Sequence, residues 1–475
     1  METAPPDPGT GSAADRLWWF RSANEPRPPA SRSRRRSTRR ERIDAVACFA
    51  ISALWFSPAC RETLFRADRD FYNRVPLGAP GLVALVLNIS ALAAVGFLGV
   101  QALRRVRRPA GRRLGAVAVA AALLVALNFA RITYETVGRL GDVLGGPGLL
   151  LGVVLALGAA LGWPRPALHA MRGLALVAAP LAAVTLGLVV WMLLEVAAGP
   201  VWRLVDPAPL KRTPPSLRRV VWLVLEELDQ RITFEARPAG LELPELDRLR
   251  RESLYADGAR PPAGTTEVSM PALITGRPVV AVAPLSPNDL ELTFADGKTA
   301  SWSAHANVFT RVRTLGYDTA LIGWHLPYPR VLGGSLALAD WRPSAAYEGV
   351  RGDTFGETLL NQWASLAPPA NLRRLSARRF DELGDVAIRA ATDGRFGLVL
   401  LHLPVPGPPG IYDRATGRLT PWNFTGAGGG YLDNLALADR MVARLRRGLE
   451  CANLGELNSL LTEEQYKNVS AHSAH

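Results

Sequence analysis

Cysteine is scarce. The 475 residues contain three: Cys48, Cys60 and Cys451. None has CxxC or zinc-finger spacing, so a thiolate metal cluster is excluded, and three scattered thiols define no disulfide framework. Histidine is limited to six positions. No apolar segment opens the chain. The first begins only after residue 42, which argues against a cleavable signal peptide. Acidic residues (42) are outnumbered by Lys and Arg (55), giving a net charge of +13. That excess is concentrated: seven arginines fall between Arg32 and Arg42, and six between Arg104 and Arg113. Basic flanks beside membrane spans explain this better than a nucleic-acid footprint does, so no nucleic-acid partner is expected.

What is abundant is apolar: 48% of the residues, unevenly distributed. Residues 1–42 are rich in Pro, Ser and Arg and read as a disordered basic cytosolic arm. Residues 43–200 read as a transmembrane region of about five helices. Its apolar runs are Ala45–Phe56, Gly81–Leu103, Leu114–Ala130, Gly146–Gly162 and Leu174–Ala197. The loops Arg104–Arg113 and Trp163–Arg172 are basic, without an acid. Placing them and the arm in the cytoplasm satisfies the positive-inside rule and puts the chain beyond Pro200 outside. A multi-pass protein of the cell membrane, with the bilayer as partner, is expected.

Beyond about Leu217 the periodicity changes. Val220–Leu225 is a continuous apolar run, as in a strand buried on both faces of a parallel sheet. Leu243–Tyr255 has helical spacing, and Val268–Ile274 fits a short helix opened by Thr265 and Thr266. Val279–Trp302 alternates around P-N-D and A-D-G turns and predicts a hairpin. Asn307–Leu315 (helix), Thr319–Gly323 (strand), Ser376–Ala391 (helix) and Phe396–His402 (strand) follow. A final helix is striped by Leu432, Leu435, Val442, Leu445 and Leu449. Such alternation predicts a layered α/β domain over residues 213–450, with an atypical tail at 451–475.

In such sheets ligands bind beyond the carboxyl ends of the strands, where Glu226, Glu227, His325 and His402 fall. Glu226 is the best candidate for an anionic metal ligand, or a strand-end carboxylate that caps the next turn. Glu227, on the opposite face, is a weaker one. Thr266 is a candidate hydroxyl nucleophile and metal contact, or an N-cap. Such a hydroxyl needs a metal or base to activate it. His325 and His402 are candidate substrate-binding or acid–base groups, or satisfied buried imidazoles. Asp433 and Asp439 read as solvated or helix-end positions.

V-V-W-L-V-L-E-E, L-P-E-L-D-R-L-R-R-E-S and T-E-V-S-M-P-A-L-I-T-G-R, taken in order, resemble the opening of sulfatases and membrane phosphotransferases of the alkaline-phosphatase superfamily. L-G-Y-D-T-A-L-I-G-W-H-L (Leu315–Leu326) and H-L-P-V-P-G-P-P (His402–Pro409) are similar to later segments of that family. The resemblance covers roughly Arg218–Glu450. It implies an α-helical membrane bundle followed by a three-layer sulfatase-like α/β domain. Thr266 would be the nucleophile, nine residues before Thr275. A divalent metal (zinc, calcium, magnesium or manganese) would be held by Glu226, Glu227 and Thr266. The implied substrates are phosphate or sulfate esters, such as lipid head groups or envelope glycans. Three departures matter. Gly407 stands where the family's loop has a histidine. No lysine lies between Gly323 and Trp324. The family's later strand ending in D-H-G or D-N-G is missing, as if the domain were truncated or frameshifted. The alternative expectation is therefore a sulfatase-like membrane binding or scaffold protein without catalysis. His472 and His475 read as tail residues.

Overall fold

Apolar runs free of internal charge become helices in the amino-terminal half. The computed structural model describes residues 30–64, 71–74, 78–106, 108–133, 151–177, 179–197, 205–211, 219–345, 350–366, 368–421 and 430–452. Helix α1 spans Ala30–Trp55, α2 Ser57–Leu64, α3 Ala79–Arg105 and α4 Pro109–Thr133. The shorter α5 (Leu151–Gly162), α6 (Pro164–Val177) and α7 (Ala179–Ala197) complete the group.

Among the described residues, two helices are long and apolar enough to cross a membrane: α3 and the Pro109–Leu127 part of α4. The 27 residues of α3 extend about 40 Å, more than the hydrocarbon core of about 30 Å. Arg39–Trp55 of α1 and Ser57–Leu64, bent by 68° at the break, form either a broken third span or a re-entrant loop. Pro58 sits in the first turn of α2, where its missing N–H is tolerated, so the chain restarts as a new helix there.

The expected fifth run, Leu174–Ala197, is divided between the end of α6 and α7, with Pro180 in the first turn of α7. The fourth is helical from Leu151, and its first residues lie outside the described set. The basic arm is not wholly irregular, because α1 reaches back to Ala30. Residues 1–29 lie outside the described set.

The carboxyl-terminal half contains a four-stranded sheet of β1 (Val220–Glu226), β5 (Asp318–Trp324), β6 (Leu338–Arg342) and β7 (Phe396–Pro406). Its order is β1-β7-β5-β6 and all its pairings are parallel. β2 (Val279–Ser286), β3 (Asp289–Phe294) and β4 (Thr299–Ser301) form a separate antiparallel sheet where the hairpin was predicted.

Alternation along the strands divides the core. Ala320, Ile322, Val399 and Leu401 pack with Phe380, Leu383, Met441 and Leu445 of α12 (Pro368–Thr392) and α13 (Tyr431–Cys451). Here α8 is Pro244–Glu252, α9 Thr266–Thr275, α10 Val308–Thr314 and α11 Phe355–Ala364. On the opposite face Leu321, Leu398 and Leu400 pack with Met270 and Ile274 of α9, Phe294 of β3 and Phe309 of α10. A parallel sheet covered on both sides is the result. Asp439 departs from its expected solvated position. It is buried and accepts the Leu246 N–H at 2.8 Å in the first turn of α8, and burial raises its pKa. Asp433 pairs with Arg414 at 2.8 Å.

The two halves interlock. Asn88, buried in α3, donates to Leu359 O (3.2 Å) and to Gln362 Oε1 (2.9 Å) of α11. Gln362 donates back to Gly81 O at 3.1 Å. The rings of Phe56 and Trp363 meet edge-on at 5.2 Å. Residues 71–74, between α2 and α3, enter the α/β domain: Arg330, buried there, donates to Phe71 O and Asn73 O, both at 2.7 Å.

Candidate functional site

Strand parity determines which groups meet. Trp222 and Val224 of β1 face the α9 side of the sheet, and Glu226 continues that row. His402 has the same parity as Leu398 and Leu400 and is paired with Val224. Thr266 is the first residue of α9, on that side. Glu226 joins all three: Oε1 accepts the Thr266 hydroxyl, and Oε2 lies 2.9 Å from His402 Nε2. His402 is fully buried, and its Nδ1 lies 2.9 Å from the Tyr328 hydroxyl. A carboxylate only accepts, so in the neutral ring Nε2 carries the hydrogen and Nδ1 accepts from Tyr328.

His325 completes the group from the end of β5. Its Nε2 lies 2.9 Å from Glu267 Oε1, one residue beyond Thr266. Its ring stands 5.3 Å from Trp324 and 5.4 Å from Tyr72 of the segment before α3. Four of the five residues expected at the site (Glu226, Thr266, His325 and His402) thus converge. Glu227 does not join them. It is exposed, and its carbonyl accepts the Tyr431 hydroxyl at 2.8 Å. Glu227 and His325 have positive φ, 57° and 70°, a conformation costing about 1–3 kcal/mol in non-glycine residues and concentrated at functional sites.

The electrostatics follow the contacts. Burial pushes the Glu226 carboxyl up, but His402, the Thr266 hydroxyl and His325 outweigh it and hold its pKa below the ordinary value. Burial, then the charge of Glu226, raises Glu227. Burial also drives Tyr328 well above the usual phenol range, so its hydroxyl stays protonated. The His325 hydrogen bond lowers Glu267 to about 2.

Because the folded value of Glu267 is depressed, its contribution is present above 4.5 and lost as pH falls towards about 2. The span corresponds to about 3 kcal/mol at most. Melting temperature is therefore expected to drop across this window, and Glu267→Gln to flatten the drop. An unchanged profile in the variant would contradict the assignment.

Gly407 has a steric cause. Its N–H donates to Glu226 O at 3.0 Å, and a Cβ there would lie 3.0 Å from Glu226 Cγ and 3.2 Å from Pro404 O. A side chain at this position would require Glu226 or the Pro404 carbonyl to shift by a few tenths of an ångström.

Glu226 already uses both oxygens. Among the described residues no group of three or more His, Cys, Asp or Glu is placed to hold a metal ion. The described donors alone therefore do not make a divalent-metal centre. Tyr328, Glu267 and Tyr72 were not foreseen. Glu267 carried a usable signal, an acid in the first turn of a helix. Tyr328 lies three residues beyond His325, and Tyr72 approaches from the membrane half, where no local pattern marks it. His472 and His475 lie outside the described residues.

No family model matches the chain, and neither curated proteins nor solved structures yield a match.

Proposed function

We propose that this chain is a membrane-tethered, sulfatase-like hydrolase or phosphotransferase acting on phosphate or sulfate esters at the outer membrane face. The observation that carries the reading is the chain Thr266–Glu226–His402 at the carboxyl end of a parallel sheet. Thr266 Oγ1 attacks phosphorus, its proton passes to Glu226 Oε1, and the bond from phosphorus to the alcohol oxygen breaks, the departing alkoxide taking a proton from water. Water then releases the phosphoryl group from Thr266, or a second alcohol accepts it. His402, backed by Tyr328, fixes the orientation of Glu226. Tyr72 against His325 favours substrates at the bilayer surface, lipid head groups above all. The arginines of Arg104–Arg113 lie at the far end of α3 from the α/β domain, an arrangement that favours an extracytoplasmic domain.

A second reading is a sulfatase-like binding protein without turnover, and one observation favours it. A carboxylate with a depressed pKa is a weak base, and the described residues supply too few donors for a metal to assist it.

One experiment separates the two. The full-length protein in detergent is given a phospholipid with a fluorescent head group, an aryl phosphate or an aryl sulfate, with and without added divalent metal. The first reading expects release of product, reduced about a thousandfold or more by Thr266→Ala. Glu226→Gln should lower turnover, whereas Glu227→Gln should spare it. A parent at background, unaltered by Thr266→Ala, establishes the second.

A further inference from the structure

The strongest unassigned feature lies at the opposite end of the membrane helices. A cavity of about 1080 Å³ opens between α1, the end of α3, the start of α4 and the α5–α6 junction. That is slightly above the range for ligand pockets, about 300–1,000 Å³. Five arginines line it: Arg40, Arg104, Arg112, Arg113 and Arg165. The one acid in its lining is Asp44, which is ion-paired with Arg104. Apart from Cys48 and His169, the remaining wall is apolar, including Ile51, Val100, Leu103, Val119 and Trp163.

Two features define the ligand. Arginines drawn from four separate segments repel one another, so an anion held among them offsets a cost the fold otherwise carries. Guanidinium groups match phosphate oxygens in geometry as well as charge. The apolar wall belongs to helices of membrane-spanning length, and Trp163 is 69% exposed at the rim. An aromatic at the level of the head groups, beside an arginine cluster that opens onto apolar wall, suits a molecule with an anionic head and hydrocarbon tails. A soluble phosphate would use only half of this lining.

We propose that this cavity binds an anionic phospholipid of the leaflet opposite the α/β domain, with its phosphate among the arginines and its acyl chains along the apolar wall. The site is separate from the Thr266 cluster and does not depend on catalysis there.

The test uses the full-length protein in mixed micelles, with phosphatidylglycerol or phosphatidylcholine carrying brominated acyl chains. Bromine quenches nearby tryptophan, and the part of the signal lost in Trp163→Phe reports this cavity. Quenching of that part is expected to saturate at about tenfold less phosphatidylglycerol than phosphatidylcholine, an effect of the order that surface arginines produce. Inorganic phosphate should not displace the lipid. Arg112→Gln combined with Arg165→Gln should weaken phosphatidylglycerol by roughly thirtyfold. The corresponding lysine pair keeps the charges and should retain most of the binding, which separates loss of charge from loss of fold. Equal curves for the two lipids, unchanged selectivity in the glutamine pair, or full displacement by phosphate would each overturn the proposal.

Discussion

Arg330→Ala is expected to be the most damaging single substitution in the α/β domain, lowering stability by about 3–5 kcal/mol. The guanidinium is buried and donates to Pro287 O at 2.6 Å and to Phe71 O and Asn73 O at 2.7 Å. It also lies 5.3 Å from the Trp341 ring. Alanine removes the donors and leaves buried carbonyls behind, each costing about 1–3 kcal/mol if water cannot reach it. Arg330→Lys keeps the charge but not the fork, so it should fall between parent and alanine. Thermal unfolding of the full-length protein in detergent would rank the three. An alanine variant that melts with the parent would refute the role given to Arg330. The damage should extend to the site, because Tyr72 lies between those two carbonyls and stacks near His325.

Gly323→Ala is expected to disable the site by a purely steric route. A Cβ at position 323 would clash with Cδ2 and Cε2 of the Tyr328 ring and lie 2.9 Å from Leu321 Cδ2. Tyr328 is fully buried. Overpacking of this kind costs about 1–3 kcal/mol. Moving the ring also strips His402 Nδ1 of its partner, adding about 1–3 kcal/mol for a buried polar atom. Tyr328→Phe removes the hydroxyl alone and should cost only that second part. Comparing the two variants by melting temperature, and by any Thr266-dependent turnover, tests the arrangement. Equal stability of Gly323→Ala and parent would mean that Tyr328 does not support His402 as described.

What the sequence disclosed, and what it hid, follows from how each element is stabilised. β7 was legible because a strand buried on both faces carries an unbroken apolar run, and β1 carries one as well although at the sheet edge it is only half-buried. β6 was not. Its sequence L-A-D-W-R carries Asp340 and Arg342, and Arg342 pairs with Asp340 at 2.5 Å and with Glu382 of α12 at 2.9 Å. An edge strand satisfied by ion pairs has no apolar signature. The helix expected from Ser376 begins at Pro368, because a turn opened by two prolines and polar residues lacks the periodic stripe used to find it. At the site, Glu226, Thr266, His325 and His402 could be placed because strand ends and helix starts are positions of known geometry. Tyr328 and Tyr72 could not, since their roles arise from packing between segments far apart in the chain.

The clasp between Arg330 and the segment before α3 also sets an order of events during synthesis. Its partners are separated by 257 and 259 residues. At about 5–20 residues per second, the carbonyls of Phe71 and Asn73 leave the ribosome roughly 13–50 s before the arginine that will hold them. The helical half is therefore made first, with its connecting segment waiting for the short helix Tyr328–Leu332 that carries the arginine. Closure of the α/β domain around that segment is a late step, and any delay in translation between the two halves lengthens the interval in which the early segment has only water for company.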